Sequence, residues 1–228
     1  MKKKKITQDK VVYFFNYVFL TLMLLIVLYP LIYIVSCSFS SGNALVSGKV
    51  KFLPVEPTLQ SYKAVFEYRA IWVGYKNSII YTVLGTLLSV ALTLLAAYPL
   101  SREDLRGGKV FMALFLFTMM FSGGLIPTYL LVKNLGLVNT MWAVILPGSV
   151  SAYNVIVART FFRQNIPQEL LEAAKVDGCS DFRFFMSIVL PLSMPIVAVL
   201  ALWVAVGLWN SYFTPMLYLN SETRSTLQ

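Results

Sequence analysis

The chain has no histidine among its 228 residues. Imidazole is therefore unavailable as a general base or a metal ligand. It has two cysteines, Cys37 and Cys179, which make neither a disulfide framework nor a CxxC metal site. Both are expected to behave as small apolar residues. The pattern G-x-x-x-x-G-K-[ST] does not occur, so the loop that cradles nucleotide phosphates is missing. Charged residues are scarce, 13% against about 25% in a soluble domain. What is abundant is apolar surface: 58% of residues are hydrophobic, 14% are aromatic, and mean hydropathy is +0.72. There is too little polar surface to cover a water-soluble globule, and too much aromatic content for a disordered chain. An integral membrane protein remains.

Net charge is +9. The basic residues are not gathered into one patch with aromatics between them, which argues against a nucleic-acid partner. They flank apolar runs instead, as Lys and Arg do on the cytoplasmic side of membrane spans. About 20 apolar residues cross a bilayer core. Charge-free runs of that order cover Val11 to Cys37, Asn77 to Leu100, Val110 to Val132 and Asn134 to Ala158. A fifth lies between Arg183 and Glu222, where Pro191 and Pro195 place the start of the helix proper near Ile196. The expected fold is all-α, a polytopic membrane helix bundle with five spans.

The start, Met1-Lys2-Lys3-Lys4-Lys5, resembles the n-region of a signal peptide. The apolar run behind it is too long for an h-region, and no small-residue cleavage site follows. It reads as an uncleaved first span. With the N terminus inside, 12 of the 19 Lys and Arg residues fall on the inner side, which favours that orientation. Residues 1–10 then form a cytoplasmic tail, and 11–228 the membrane domain. No charged residue lies within a predicted span, so any transport would draw its energy from outside the bilayer. Ser38 to Lys76 reads as an external stretch with an amphipathic segment, Tyr62–Trp72, on the membrane surface. Residues 159–189 form an internal loop, the most charged part of the chain after its start.

That loop predicts a short helix from about Pro167 to Asp177. Pro167 suits a first helical turn, Glu169 suits the positive end of the helix dipole, and Gly178 suits the left-handed stop. Leu170, Ala173, Ala174 and Asp177 share a face by spacing, and the adjacent alanines leave it flat. So short a helix needs a partner surface. From the residues alone, docking against another protein and lying on lipid headgroups stand level.

Glu172-Ala173-Ala174, three residues, Gly178, nine residues, Ile188, one residue, Leu190-Pro191 resembles the EAA motif of ATP-binding-cassette importer permeases, E-A-A-x(3)-G-x(9)-I-x-L-P. Every fixed position matches. Phe121-Ser122-Gly123-Gly124-Leu125-Ile126-Pro127-Thr128-Tyr129 and Asn134-Leu135-Gly136-Leu137-Val138-Asn139-Thr140 resemble the carbohydrate branch, within it the permeases for complex oligosaccharides. The resemblance covers nearly the whole chain. It implies a pair of homologous permease subunits, two ATPase subunits beneath them and an extracytoplasmic solute-binding protein, in the cell membrane of a prokaryote. No cofactor would be bound by this chain, since ATP and Mg are used by the partner ATPase. The loop would be the coupling helix. Glu172, Ala173, Ala174, Asp177, Gly178 and Pro191 would then couple to the ATPase, with Glu172 offering a carboxylate to its surface. The family generally has six spans with both termini inside. Five crossings leave Gln228 outside, so the sequence is expected to lack a sixth span at its C-terminal end.

An oligosaccharide needs hydrogen-bond partners and flat aromatic faces. Tyr153, Asn154, Trp203, Trp209, Asn210 and Tyr212 offer both in the fourth and fifth runs. Asn210 is expected to be buried and to need a partner. Ordinary helix packing and interfacial belt roles are the competing readings of the same residues. Ser122-Gly123-Gly124 with Pro127 reads equally as a gate hinge or as a break at the membrane surface. A non-transport membrane scaffold is the alternative function. A membrane enzyme is disfavoured, since no histidine and no paired intramembrane carboxylates supply chemistry. Glu103 and Asp104 are adjacent, but in a short basic turn where a solvated loop is expected.

Overall fold

A computed structural model describes residues 2–221 and 224–227, with side chains from Lys10 onward. The lysines of the basic start and part of the polar end, on which the orientation and the sixth-span expectation rest, lie outside the described side chains. Among the described residues the secondary structure is helical throughout. The chain divides into two compact units, residues 1–69 and 70–228.

The first unit is dominated by α1 (Lys2–Ser38). Its Lys10–Ser38 portion has a mean hydropathy of 2.7 in its most apolar window, none of it buried. Two short helices follow, α2 (Gly42–Val46) and α3 (Gln60–Glu67). The loop around them folds back on the end of α1. Ser36 Oγ donates to the Phe52 carbonyl at 2.7 Å, and Val55 N–H donates to Ser40 Oγ at 3.0 Å. The expected amphipathic segment Tyr62–Trp72 is not one element. The backbone leaves helical geometry at Tyr68 (φ −81°, ψ 102°), so α3 stops there and Trp72 belongs to the next helix.

That helix, α4 (Arg69–Ser101), opens the second unit. It starts well before Asn77, because Arg69–Lys76 continues the helical pattern with polar residues outside the apolar run. Its buried side is a ladder of small and hydroxylated residues, Gly74, Ser78, Tyr81, Gly85, Ser89, Thr93 and Ala97. Small residues at this spacing let neighbours approach a helix backbone closely. A Cβ on Gly85 would lie 2.6 Å from Leu208 Cδ1, the movable tip of that side chain, so α12 approaches α4 closely at this glycine.

The third apolar run is broken into α5 (Gly108–Met120) and α6 (Leu125–Asn134), bent by 111°. Gly124 makes the break possible: its φ of 86° and ψ of 172° belong to a region open to glycine almost alone. The fourth run, expected as a single span over Asn134 to Ala158, is corrected. It holds α7 (Met141–Ile145) and α8 (Ala152–Asn165). Gly136 and Asn139 take positive φ, at 68° and 61°, and Pro147-Gly148 follow. These residues punctuate a run that hydropathy alone reads as continuous. Because α8 continues to Asn165, Arg159 and Arg163 are helix residues.

The loop proper carries α9 (Gln168–Val176) and α10 (Asp181–Phe184). A π-helical turn at Phe185–Val189 leads into α11 (Leu190–Leu192). Pro191 has no N–H and its ring crowds the carbonyl four residues back; a widened turn just before it gives room. The fifth run holds α12 (Met194–Trp209), which starts two residues before Ile196 and is bent by 79° from the preceding helical stretch. Last comes α13 (Phe213–Tyr218). By length and composition, two helices can cross a bilayer, or up to four if each bent pair is one span. Among the described residues the fourth run holds no single helix of that length.

The second unit's main core gathers Leu94, Ala97 and Tyr98 of α4, Val155, Ala158 and Phe162 of α8, Ala174 of α9, Phe184 and Phe185, and Leu200 of α12. Tyr98 meets Phe162 edge-on at 6.2 Å and Phe185 at 4.9 Å between ring centroids. Such aromatic geometry adds about 0.5–1.5 kcal/mol beyond area burial.

Candidate functional site

Helix α9 is short, and its two ends explain why it forms. Pro167 is its N-cap, with φ −62° and ψ 144°, one position outside the first turn where the sequence placed it. Its fixed φ still pre-sets the entry. Glu169 lies in the first turn and Lys175 in the last, each complementing the helix dipole. The stop is a full Schellman motif. Gly178 takes φ +72°, its N–H bonds to the Lys175 carbonyl at 3.1 Å, and Cys179 N–H bonds to the Ala174 carbonyl at 2.9 Å. Left-handed geometry at that position is what glycine supplies.

The expected face of Leu170, Ala173, Ala174 and Asp177 is corrected at one residue. Ala174 is 7% exposed and belongs to the core, while Leu171, Ile166 and Cys179 pack beside it. Its methyl is the seat of the helix and offers no outward surface. The outward side is Glu169, Leu170, Glu172, Ala173, Val176 and Asp177, all exposed, with Val176 at 88%. Pro191, the last motif residue, sits on α11 and shapes the chain's return.

A strap of ions holds α9 in place. Arg102, just after α4, donates from Nε and Nη2 to the two carboxylate oxygens of Asp104, at 2.8 and 2.5 Å. Its Nη1 donates to Asp181 Oδ1 at 2.5 Å. Lys175 Nζ on α9 lies 3.3 Å from Asp104 Oδ2. Arg163 of α8 pairs with Glu103 at 3.2 Å, and Arg159 Nε donates to the Leu100 carbonyl at 2.8 Å, satisfying an end carbonyl of α4. Glu103 and Asp104 are therefore not a merely solvated turn. The hydrogen bonds from Arg102 hold the Asp104 carboxyl well below the usual aspartate range, with Lys175 adding to the effect against some loss from burial. The same bonds raise the already high Arg102 value further. The links from Arg102 to Asp181 and from Asp104 to Lys175 were missed in the sequence because each joins residues more than 70 positions apart. The one local signal is an arginine immediately after an apolar run with acids behind it.

A second feature lies along α4. A cavity of about 190 Å³ is lined by Gly85 and Ser89 of α4, Gly148, Ser149, Asn154 of α8, and Gly207 of α12, with Ile145, Val204 and Leu208. Ser89 is 2% exposed. Of the proposed path residues, the structure brings Asn154 to this cavity. Tyr153 pairs with Trp203, ring centroids 5.9 Å apart. Trp209, Asn210 and Tyr212 do not line it. Asn210 is exposed and caps α12, its side-chain amide donating to the Val206 carbonyl at 2.8 Å; the expectation of a buried residue seeking a partner is corrected. A helix cap faces the loop by construction, and hydropathy does not reveal where the helix ends.

With this geometry in hand, the relatives are informative. Residues 2–227 match the family described as "Binding-protein-dependent transport system inner membrane component". The chain belongs to that family. It is a multi-pass membrane permease subunit of an ATP-binding-cassette importer, and membership sets the scaffold reading aside. It is 44% identical over 212 residues to the "Polygalacturonan/rhamnogalacturonan transport system permease protein YtcP" of Bacillus subtilis, covering 93% of this chain and 74% of that one. It is 35% identical over 198 residues to the "Galactooligosaccharides transport system permease protein GanQ" of the same organism, covering 82% and 68%. A solved structure, "Crystal structure of a bacterial ABC transporter involved in the import of the acidic polysaccharide alginate", contains a chain that superposes with a TM-score of 0.92. That chain is 35% identical, and the match covers 96% of this chain and 78% of it.

Proposed function

We propose that this permease subunit works in an importer of oligosaccharides, paired with a second homologous permease. In this reading two ATPase subunits on the cytoplasmic side hydrolyse ATP with Mg, and an extracytoplasmic solute-binding protein delivers the sugar. The N terminus is cytoplasmic, residues 1–10 are its tail, 11–228 form the membrane domain in a prokaryotic cell membrane, and 159–189 carry the coupling region.

The observation that carries the proposal is the outward face of α9. An apolar side chain as exposed as Val176, beside Leu170, Ala173 and the carboxylate of Glu172, is a surface awaiting a partner, on a helix too short to persist alone. Glu172, Ala173 and Asp177 make the contact, Gly178 sets the turn, and Ala174 holds the helix to its own chain. Relatives named for polygalacturonan, galactooligosaccharides and alginate support a saccharide as cargo. The Ser89 hydroxyl and the Asn154 amide meet its hydroxyls, and the Tyr153–Trp203 pair offers a ring face.

The test is uptake. The chain, expressed with its neighbouring transport genes in a strain lacking its own importer, should accumulate labelled oligogalacturonide or galacto-oligosaccharide in an ATP-dependent way. An assembled complex that takes up neither would overturn the cargo assignment.

A further inference from the structure

Helix α9 is attached to its own chain in two ways. The apolar seat of Ala174 and Leu171 presses it on the core, but apolar contact is non-directional and lets a short helix slide or rotate. The ion strap is directional. Lys175 reaches Asp104, Asp104 takes two bonds from Arg102, and Arg102 also holds Asp181, the first residue of α10. All three guanidinium nitrogens are engaged, in a fork that no ammonium can reproduce. The Arg102 side chain is 15% exposed, so its partners are not interchangeable with water. The Lys175–Asp104 and Arg163–Glu103 pairs are different in kind: one contact each between side chains about half exposed or more, worth little by themselves.

We propose that Arg102 is the positioning residue that ties α10, and through the tight Gly178 turn the preceding α9, to the end of α4, so that displacement of α9 is delivered to α4. The inference rests on the reading of α9 as the ATPase-docking helix. Arg102 follows the last residue of α4, Ser101, and the Arg159 bond to the Leu100 carbonyl fixes the same helix end to α8. α4 is a continuous helix from that end to Ser89, a distance on the order of 20 Å. A pull on Arg102 therefore reaches the cavity wall.

Hydrogen–deuterium exchange on the assembled complex in lipid nanodiscs, with and without a non-hydrolysed ATP analogue, tests this without knowing the cargo. In the wild type the nucleotide should change exchange both in peptides covering 168–179 and in peptides covering 85–101. Arg102→Lys keeps the charge but loses the fork. It should retain the first response and reduce the second about tenfold, within the range of ordinary coupling energies. Glu103→Gln should behave as wild type. The variant Arg102→Leu with Asp104→Asn and Asp181→Asn removes the buried charge together with its partners and leaves only the half-exposed Lys175 without its carboxylate. It should insert normally and still lack the α4 response; recovery of that response would show the cluster to be structural only, and would overturn the proposal. So would an unchanged α4 response in Arg102→Lys. If the Arg102 variants fail to insert, Asp181→Asn, which leaves the Asp104 fork intact, should lower the α4 response, and no change there would count against the proposal equally. Glu172→Lys separates the two layers. If it leaves both responses intact, the docking role of α9 fails; if it abolishes both while Arg102→Lys changes nothing, only the Arg102 inference fails.

Discussion

The amide of Cys179 donates to the carbonyl of Ala174 at 2.9 Å, closing the turn that ends α9 and returning the chain to the core. The bond exists only because Gly178, between them, holds φ at +72°. A Cβ there would meet nothing within 4 Å, so any substitution acts through backbone strain alone. Gly178→Ala should cost about 1–2 kcal/mol of local stability, and Gly178→Asn less, since asparagine tolerates the left-handed region. Both should insert. Transport should fall in the order Asn then Ala then Val, a ranking by backbone strain that a steric contact with the ATPase would not follow.

Ala173 and Ala174 are neighbours with opposite duties. Ala174 is buried in the core and Ala173 is exposed. Ala174→Leu should overpack the seat at a cost of about 1–3 kcal/mol and lower the melting temperature of the purified subunit. Ala173→Glu should leave melting unchanged and reduce co-purification of the ATPase. The opposite pattern would mean that α9 docks by its other face.

Much of this was legible beforehand, and the failures are instructive. The short loop helix, its glycine stop and the Gly124 break were readable because each depends on local chemistry within a few residues. The fourth run was read as one helix because hydropathy sums over a window and ignores Gly136, Asn139 and Pro147-Gly148, whose backbone preferences end helices without lowering apolarity. The face of α9 was read one residue too wide: spacing groups residues, but only packing in the core cluster decides which alanine turns inward. The Arg102 cluster joins residues 102, 104, 175 and 181, and no single-sequence pattern links positions that far apart.

The strap has a defined pH window. Arg102 and then Lys175 hold the Asp104 carboxyl below its ordinary range, and an unfolded aspartate titrates near about 4. The folded state therefore binds fewer protons, and the stabilisation is complete above the unfolded value and lost as pH falls through the folded one. Asp104 is half exposed, so the effect is small. The melting-temperature difference between wild type and Asp104→Asn, measured in detergent, should be flat from about pH 8 to 5 and shrink only below about 4. A difference that shrinks between pH 8 and 6 would mean that another group controls the strap.

Asn154 and Asn210 make the sharpest contrast for the cargo path. Asn154 lines the 190 Å³ cavity beside Ser89, whereas Asn210 spends its amide on the Val206 carbonyl of its own helix. Asn210→Ala should cost no more than about 1 kcal/mol of helix-end stability and leave uptake nearly unchanged. Asn154→Ala removes a cavity wall group that carries both donor and acceptor, and should lower uptake about tenfold with the ATPase still bound, the loss of one good hydrogen bond to cargo. Gly207 supplies an independent check on the same space. A Cβ there would meet nothing within 4 Å, so Gly207→Ala should be tolerated. Gly207→Phe projects a ring into the cavity region and should block uptake without loss of insertion. Equal uptake in Asn154→Ala, Gly207→Phe and wild type would show that cargo passes elsewhere.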